Sequence, residues 1–183
     1  MTIDQERNEL FHLLKTQAFF KGKFILSSGK ESNFYLDARI VTLSAAGAYL
    51  TARLVLEMIK EDLPDAVGGP TLGADPMVGA IASLSHQQGC GLNTFIIRKQ
   101  PKAHGKQRQV EGPLLKEGES VVIIDDVATT GKAFVESIEV LQKMNVNIKK
   151  AICLIDRCEG ALEALAKFKV PLESIFTIND FIK

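Results

Sequence analysis

The stretch Val121-Val122-Ile123-Ile124-Asp125-Asp126-Val127-Ala128-Thr129-Thr130-Gly131-Lys132 decides how the chain is read. Four consecutive β-branched residues specify a strand over 120–125 that is buried on both faces, as in the interior of a parallel sheet. The strand ends in two adjacent carboxylates. Ala128-Thr129-Thr130-Gly131 then supplies hydroxyls, a flexible glycine and main-chain N–H groups ahead of a helix expected over 132–144. Such a turn suits a phosphate, because the N–H groups and the helix dipole both favour an anion. A P-loop would need glycine where Asp126 stands and Ser or Thr directly after Lys132, so that reading fails, and a dinucleotide fingerprint lacks its glycines. A plainer alternative stays open: Asp125 and Asp126 could simply cap the following helix.

Outward from this stretch, strand and helix signals alternate. Strand 65–68, helix 76–87, strand 93–97, a polar segment 98–118, strand 120–125, helix 132–144, strand 150–155, helix 159–168 and strand 172–177 follow one another. This alternation implies an α/β fold, a mostly parallel central sheet flanked by helices on both faces. Ligands of such sheets bind beyond the carboxyl ends of the strands, so the loops after residues 68, 97, 125 and 155 are expected to share one mouth. Ahead of the alternation, Thr2-x-x-Gln5 can form a capping box for a helix carrying Leu10, Leu13, Leu14 and Ala18. Phe24-Ile25-Leu26 and Asn33-Phe34-Tyr35-Leu36 flank a Gly-containing turn and read as a small appended hairpin. A helix from Ser44 to about Glu61 carries Leu50, Leu54, Val55, Met58 and Ile59. The expected organisation is a single domain over 1–183, with a small N-terminal subdomain formed mainly by 1–40.

The bulk properties exclude several classes. Lysine plus arginine and aspartate plus glutamate number 22 each in 183 residues, so net charge gives no reason to expect nucleic acid or an acidic membrane as partner. The polar, acidic start Met1-Thr2-Ile3-Asp4-Gln5-Glu6 lacks the pattern of an export signal, and every apolar run is too short to span a bilayer. Cys90, Cys153 and Cys158 are odd in number, without a Cys-x-x-Cys pair or a histidine cluster. Reduced thiols and a cytoplasmic location are expected.

Two further segments carry chemistry. Arg98-Lys99-Gln100-Pro101-Lys102-Ala103-His104-Gly105-Lys106-Gln107-Arg108 holds six basic or potentially basic side chains broken by Pro101 and Gly105. It can be a solvated loop, a nucleic-acid patch, or a lid whose cations offset the charge of a departing pyrophosphate. No aromatic residue is present to stack bases, and the lid is favoured. Gly68-Gly69-Pro70-Thr71-Leu72-Gly73-Ala74-Asp75-Pro76 leaves a strand and enters a helix, offering N–H groups to an anion, although turn chemistry alone could account for it. Ile155-Asp156-Arg157 ends the next strand with a guanidinium suited to a planar carboxylate or, more plainly, to a surface ion pair.

The hydrophobic strand, Asp-Asp and Thr-Thr-Gly together resemble the motif with which type I phosphoribosyltransferases bind phosphoribosyl pyrophosphate (PRPP). The string Arg-Lys-x-x-Lys-x-His-Gly resembles the mobile catalytic loop of the orotate phosphoribosyltransferases, placed here at 98–113. The resemblance implies the type I phosphoribosyltransferase fold with an N-terminal hood, and transfer of ribose 5-phosphate from PRPP to orotate in de novo pyrimidine (UMP) synthesis. It implies that Asp125 and Asp126 contact the ribose hydroxyls, and that Val127, Ala128, Thr129, Thr130, Gly131 and Lys132 surround the 5-phosphate. Thr71, Leu72 and Gly73 would face the pyrophosphate, while Arg98, Lys99, Lys102 and His104 close over it. Lys102 and His104 join Asp125 and Asp126 as the implied catalytic set. Ser27, Phe34, Tyr35 and Thr129 would surround the orotate ring, and Arg157 would meet its carboxylate. Many relatives carry lysine at the positions of Ser27 and Gly73. Mg²⁺ held mainly by PRPP oxygens, with no certain protein ligand, and a homodimer with the loop reaching the neighbouring site are also implied. The competing expectations are transfer to another base and a non-catalytic PRPP-sensing regulator.

Overall fold

In the computed structural model, which describes residues 1–25, 31–100 and 108–182, Val121, Val122, Ile123 and Ile124 are all inaccessible to solvent. The chain runs α1 (Ile3–Leu13), β1 (Phe19–Ile25), β2 (Glu31–Leu36), α2 (Arg39–Thr42), α3 (Ala45–Ile59), β3 (Ala66–Pro70), α4 (Ala74–Gln87) and β4 (Asn93–Ile97). It continues through β5 (Val110–Glu111), β6 (Ser120–Ala128), α5 (Lys132–Gln142), β7 (Asn147–Asp156), α6 (Ala161–Ala166), β8 (Leu172–Thr177) and α7 (Asn179–Ile182). The sheet order is β5-β4-β3-β6-β7-β8, parallel throughout except where β5 pairs antiparallel with β4.

The double burial of β6 follows from the period of two along a strand. Val122 and Ile124 face a core completed by Leu54 and Val55 of α3 and Met77 and Ile81 of α4. Val121 and Ile123 face the opposite core, with Phe134, Ile138 and Leu141 of α5 and Leu165 of α6. Helices therefore cover both faces, as the alternation predicts.

At the N-terminus the capping box forms, Gln5 N donating to Thr2 Oγ1 at 3.3 Å and Thr2 N donating to Gln5 Oε1 at 2.8 Å. A π-helical turn over Leu14–Ala18 then leads into β1. The hairpin of β1 and β2 is a separate two-stranded sheet, joined to the body where Asp37 N donates to Ala18 O at 3.0 Å.

Several boundaries differ from the sequence expectation. Strand β6 does not stop at its carboxylates but runs on to Ala128, because pairing with β7 continues through Val127–Ile155 and Ala128–Asp156. Strand β7 begins at Asn147 rather than 150, and a bulge opposite Val121 and Val122 absorbs the extra residue. The polar segment 98–118 holds the two-residue strand β5, too short for any periodicity to register. Helix α6 starts at Ala161 because Cys158 and Gly160 take positive φ of 56° and 109° and so cannot belong to a right-handed helix.

Candidate active site

Strand β6 carries its two carboxylates to the end of the sheet's centre. Asp125 is buried, and its Oδ1 accepts from Asp126 N at 2.9 Å; Asp126 Oδ1 in turn accepts from Val127 N at 2.8 Å. The pair thus satisfies its own strand. Among the side chains considered for capping α5, neither is used: the N-cap is Gly131, at φ 80°, with no side-chain cap. The capping alternative falls, and among the described residues no side chain caps the first N–H groups of α5. Gly131 also packs tightly, since a Cβ there would come 3.0 Å from Ala161 Cα.

Burial pushes the Asp125 carboxyl well above the usual carboxylate range, and the neighbouring Asp126 charge adds to the rise, with a smaller push from Asp75. Asp126 is raised as well, chiefly by desolvation, and Arg39 partly opposes the shift. Two acids that resist carrying two charges side by side suit a site whose ligand brings positive charge at the reacting carbon or a cation with it.

The turn after β3 closes on this pair. Thr71 N donates to Ile97 O at 3.0 Å, Thr71 Oγ1 donates to Asp75 Oδ2 at 2.7 Å, and the Thr71–Leu72 peptide is cis. Leu72 is exposed, whereas Gly73 lies so close to the acids that a Cβ there would strike Oδ1 of both Asp125 and Asp126. A side chain at position 73 is incompatible with this arrangement. Gly69 shows the same closeness one strand over, where a Cβ would strike Ile124 O.

A second group of side chains comes from the hairpin and from just past the end of β7. Arg157 N donates to Ala128 O at 2.9 Å, tying the two strand ends together, and its guanidinium lies 5.2 Å from the Phe34 ring centre. Arg157 Nη2 pairs with Glu159 Oε1 at 2.7 Å, and Nε is buried without a partner among the described residues. Phe34 and Tyr35, neighbours in a strand, point to opposite faces. Phe34 packs on Phe19 with ring centres 5.5 Å apart, while Tyr35 joins Phe20 and Phe24 on the other face. Of these two rings, Phe34 is the one that meets Arg157.

The remaining sequence-predicted residues are placed unevenly. Thr129 is half-buried in the turn, Thr130 is exposed, and Lys132 is largely exposed with its amino group 3.7 Å from Glu136. Arg98 and Lys99, exposed, line a cleft of ≈ 270 Å³ with Thr71 and Ser137. Arg98 Nη1 lies 3.5 Å from Glu111 Oε1. Neither this cleft nor a second of ≈ 280 Å³, lined by Val110, Leu114, Val140 and Met144, includes either acid of the pair. Ser27, Lys102 and His104 lie outside the described residues.

Three contributors escaped the sequence reading. Asp75 stood only within the run 68–76, Glu159 only at the start of the helix expected over 159–168, and Arg39 in no motif. Arg39 forms a two-pronged pair with Asp37, Nε to Oδ1 at 2.9 Å and Nη2 to Oδ2 at 3.2 Å, and its charge is felt by Asp126. Only the acid-to-base spacing Asp37-x-Arg39 was visible beforehand.

No group of three or more metal-ligating side chains occurs among the described residues. The adjacent acids nevertheless fit a hard cation shared with substrate oxygens, because Mg²⁺ keeps water and phosphate ligands and needs few from protein.

The family described as phosphoribosyl transferase domain matches residues 42–183. An orotate phosphoribosyltransferase of Rhodopirellula baltica is 40% identical over 178 residues, 94% of this chain and 92% of that one. Another, of Aquifex aeolicus, is 37% identical over 180 residues, covering 97% and 98%. The crystal structure of Mycobacterium tuberculosis orotate phosphoribosyltransferase with Fe(III) dicitrate superposes with a TM-score of 0.85 at 32% identity, over 97% of this chain and 99% of that one. The chain belongs to the type I phosphoribosyltransferase family, within its orotate phosphoribosyltransferases.

Proposed function

We propose that the chain transfers ribose 5-phosphate from PRPP to orotate, giving orotidine 5′-monophosphate and pyrophosphate for pyrimidine synthesis. What supports this reading is the pair of buried acids in β6 together with the Phe34–Arg157 contact just past the end of the neighbouring β7. A structure of the Mycobacterium tuberculosis relative in complex with PRPP, alike at a TM-score of 0.80 and 28% identity, supports placing the donor here.

In this reading the uncapped N–H groups of α5, with Thr129 and Thr130, hold the 5-phosphate. Asp125 and Asp126 hold the ribose hydroxyls and favour the cationic, oxocarbenium-like state at C1′. Arg157 pairs with orotate's carboxylate, and Phe34 covers the ring from the hood. The bond from C1′ to the base nitrogen forms as the bond from C1′ to the pyrophosphate oxygen breaks, with loss of the ring N–H proton. Main-chain groups of 71–73 and the cations Arg98, Lys99 and Lys102 receive the pyrophosphate, with His104 beside them. Ser27 is assigned to the base side and Tyr35 to the same side through its main chain. Mg²⁺, when bound, would offset charge on the pyrophosphate and ribose oxygens, with Asp125 and Asp126 the nearest protein carboxylates.

A homodimer with the 98–113 loop shared between sites is part of the proposal. The exposed Ile40 and Leu43 near α2 and Tyr49 on α3 give such an interface its apolar surface. The chain is read as one domain with a hood, working in the cytoplasm; no described helix is long and apolar enough to cross a membrane.

The test mixes purified protein, PRPP, Mg²⁺ and orotate, follows orotate absorbance, and repeats the assay with uracil, adenine and hypoxanthine. Loss of the orotate signal that needs both PRPP and Mg²⁺ is expected. Reaction with another base alone would overturn the base assignment, and no reaction at all would favour a PRPP-sensing role.

A further inference from the structure

The turn after β7 is built around one guanidinium. Asp156 Oδ1 accepts from Cys158 N at 2.8 Å, Cys158 takes φ 56°, and the chain doubles back so that Glu159 Oε1 meets Arg157 Nη2 at 2.7 Å. A non-glycine residue in the left-handed region is uncommon, and here its effect is to bring a carboxylate two residues on to the arginine. The Arg157 side chain is 12% exposed, but that of Glu159 is 43% exposed.

Two restraints of different direction act on Arg157. Phe34, its ring centre 5.2 Å from the guanidinium carbon, restrains the position of that carbon through a cation–π contact. That contact leaves rotation within the plane free. The bond to Glu159 acts on that remaining freedom, because the guanidinium's donors form a rigid planar fork. With Nη2 engaged, Nε is left as a buried donor with no described protein partner. A buried, unpaired donor on a cation is costly unless an acceptor is supplied.

We propose that Glu159 is a positioning residue for base recognition: its carboxylate fixes the in-plane orientation of Arg157 and so directs the remaining donors at the carboxylate of the incoming base. The inference rests on the orotate reading above and adds a residue that does not touch the substrate. The exposure difference suits the role, since the half-solvated Glu159 can orient the arginine without cancelling its charge toward the buried side.

The test compares wild-type protein with Glu159→Ala and Glu159→Gln, measuring KM for orotate, KM for PRPP and kcat. Glu159→Ala should raise the orotate KM about tenfold, the worth of one charge-assisted hydrogen bond, with the PRPP KM unchanged. Glu159→Gln keeps an acceptor oxygen and should recover most of the loss, which a general weakening of the turn would not allow. An orotate KM that stays the same or falls in Glu159→Ala would overturn the proposal, as would equal losses for both substrates or a glutamine variant no better than alanine. Wild-type protein that consumes no orotate would remove the functional reading itself, and this inference with it; wild-type turnover with an indifferent Glu159 would remove this inference alone.

Discussion

Around the end of β6 a single added carbon at Gly73 or Gly69 would strike a carboxylate or carbonyl oxygen, whereas the Phe34 ring of the hairpin meets its neighbours with centres 5.5 Å from the Phe19 ring and 5.2 Å from the Arg157 guanidinium. One wall is assembled from main chain pressed against carboxylate and carbonyl oxygens, and the other from aromatic surfaces that tolerate displacement. The difference suits the task that the proposed reaction gives each wall. Charge stabilisation in a low-dielectric site depends steeply on distance and needs its groups fixed beforehand. Covering a flat ring needs area, and area changes little when a ring slides.

If the acidic wall works through fixed charge, the largest effect belongs to Asp125→Asn, which keeps an acceptor for Asp126 N but removes the charge. We expect kcat/KM to fall about 10²- to 10³-fold. The same variant should be more stable than wild type at neutral pH. The sign follows from the raised folded-state pKa of Asp125: its protonated form stabilises the fold fully below the ordinary carboxylate range, and that contribution is lost as pH rises through the raised value. The variant's advantage should therefore be greatest near pH 7 and shrink on acidification, as thermal melts across pH would record. Equal stability at every pH would show that burial imposes no penalty.

Gly73→Ala tests the closeness itself. The glycine has φ −61° and ψ −44°, open to any residue, so the fold should tolerate alanine. Its methyl would displace either the loop or the acids, and kcat/KM for PRPP should fall about 10²-fold, as for a misplacement of about 1 Å. Full activity would mean the acidic wall yields as easily as the hood, breaking the contrast. Phe34→Ala should have the smallest effect of the three. A rise of about fivefold in orotate KM, with a stability loss of about 1 to 2 kcal/mol and an unchanged PRPP KM, would fit loss of one half-buried ring and its cation–π contact. A loss as large as that of Gly73→Ala would show that the hood also demands fixed geometry.

The walls were not equally legible. The acidic one announced itself, because four β-branched residues followed by Asp-Asp and Thr-Thr-Gly encode strand, charge and turn within a dozen positions. The hood was legible as a hairpin, but which of Phe34 and Tyr35 faces Arg157 hangs on a strand register that this short, aromatic segment does not specify strongly. Asp75, Arg39 and Glu159 carried too little local context to stand out.

By itself the sequence determined the α/β alternation, the double burial of Val121–Ile124, the capping box at Thr2 and the position of the acids beside a phosphate-sized turn, all of which rest on neighbours within a few residues. Only the tertiary structure decided the order β5-β4-β3-β6-β7-β8, the press of Gly73 against both acids, and the meeting of Phe34, Arg157 and Glu159. Those contacts join segments far apart in the chain or turn on a single left-handed residue, and no local pattern encodes a distance that arises only when separate strands end at the same place.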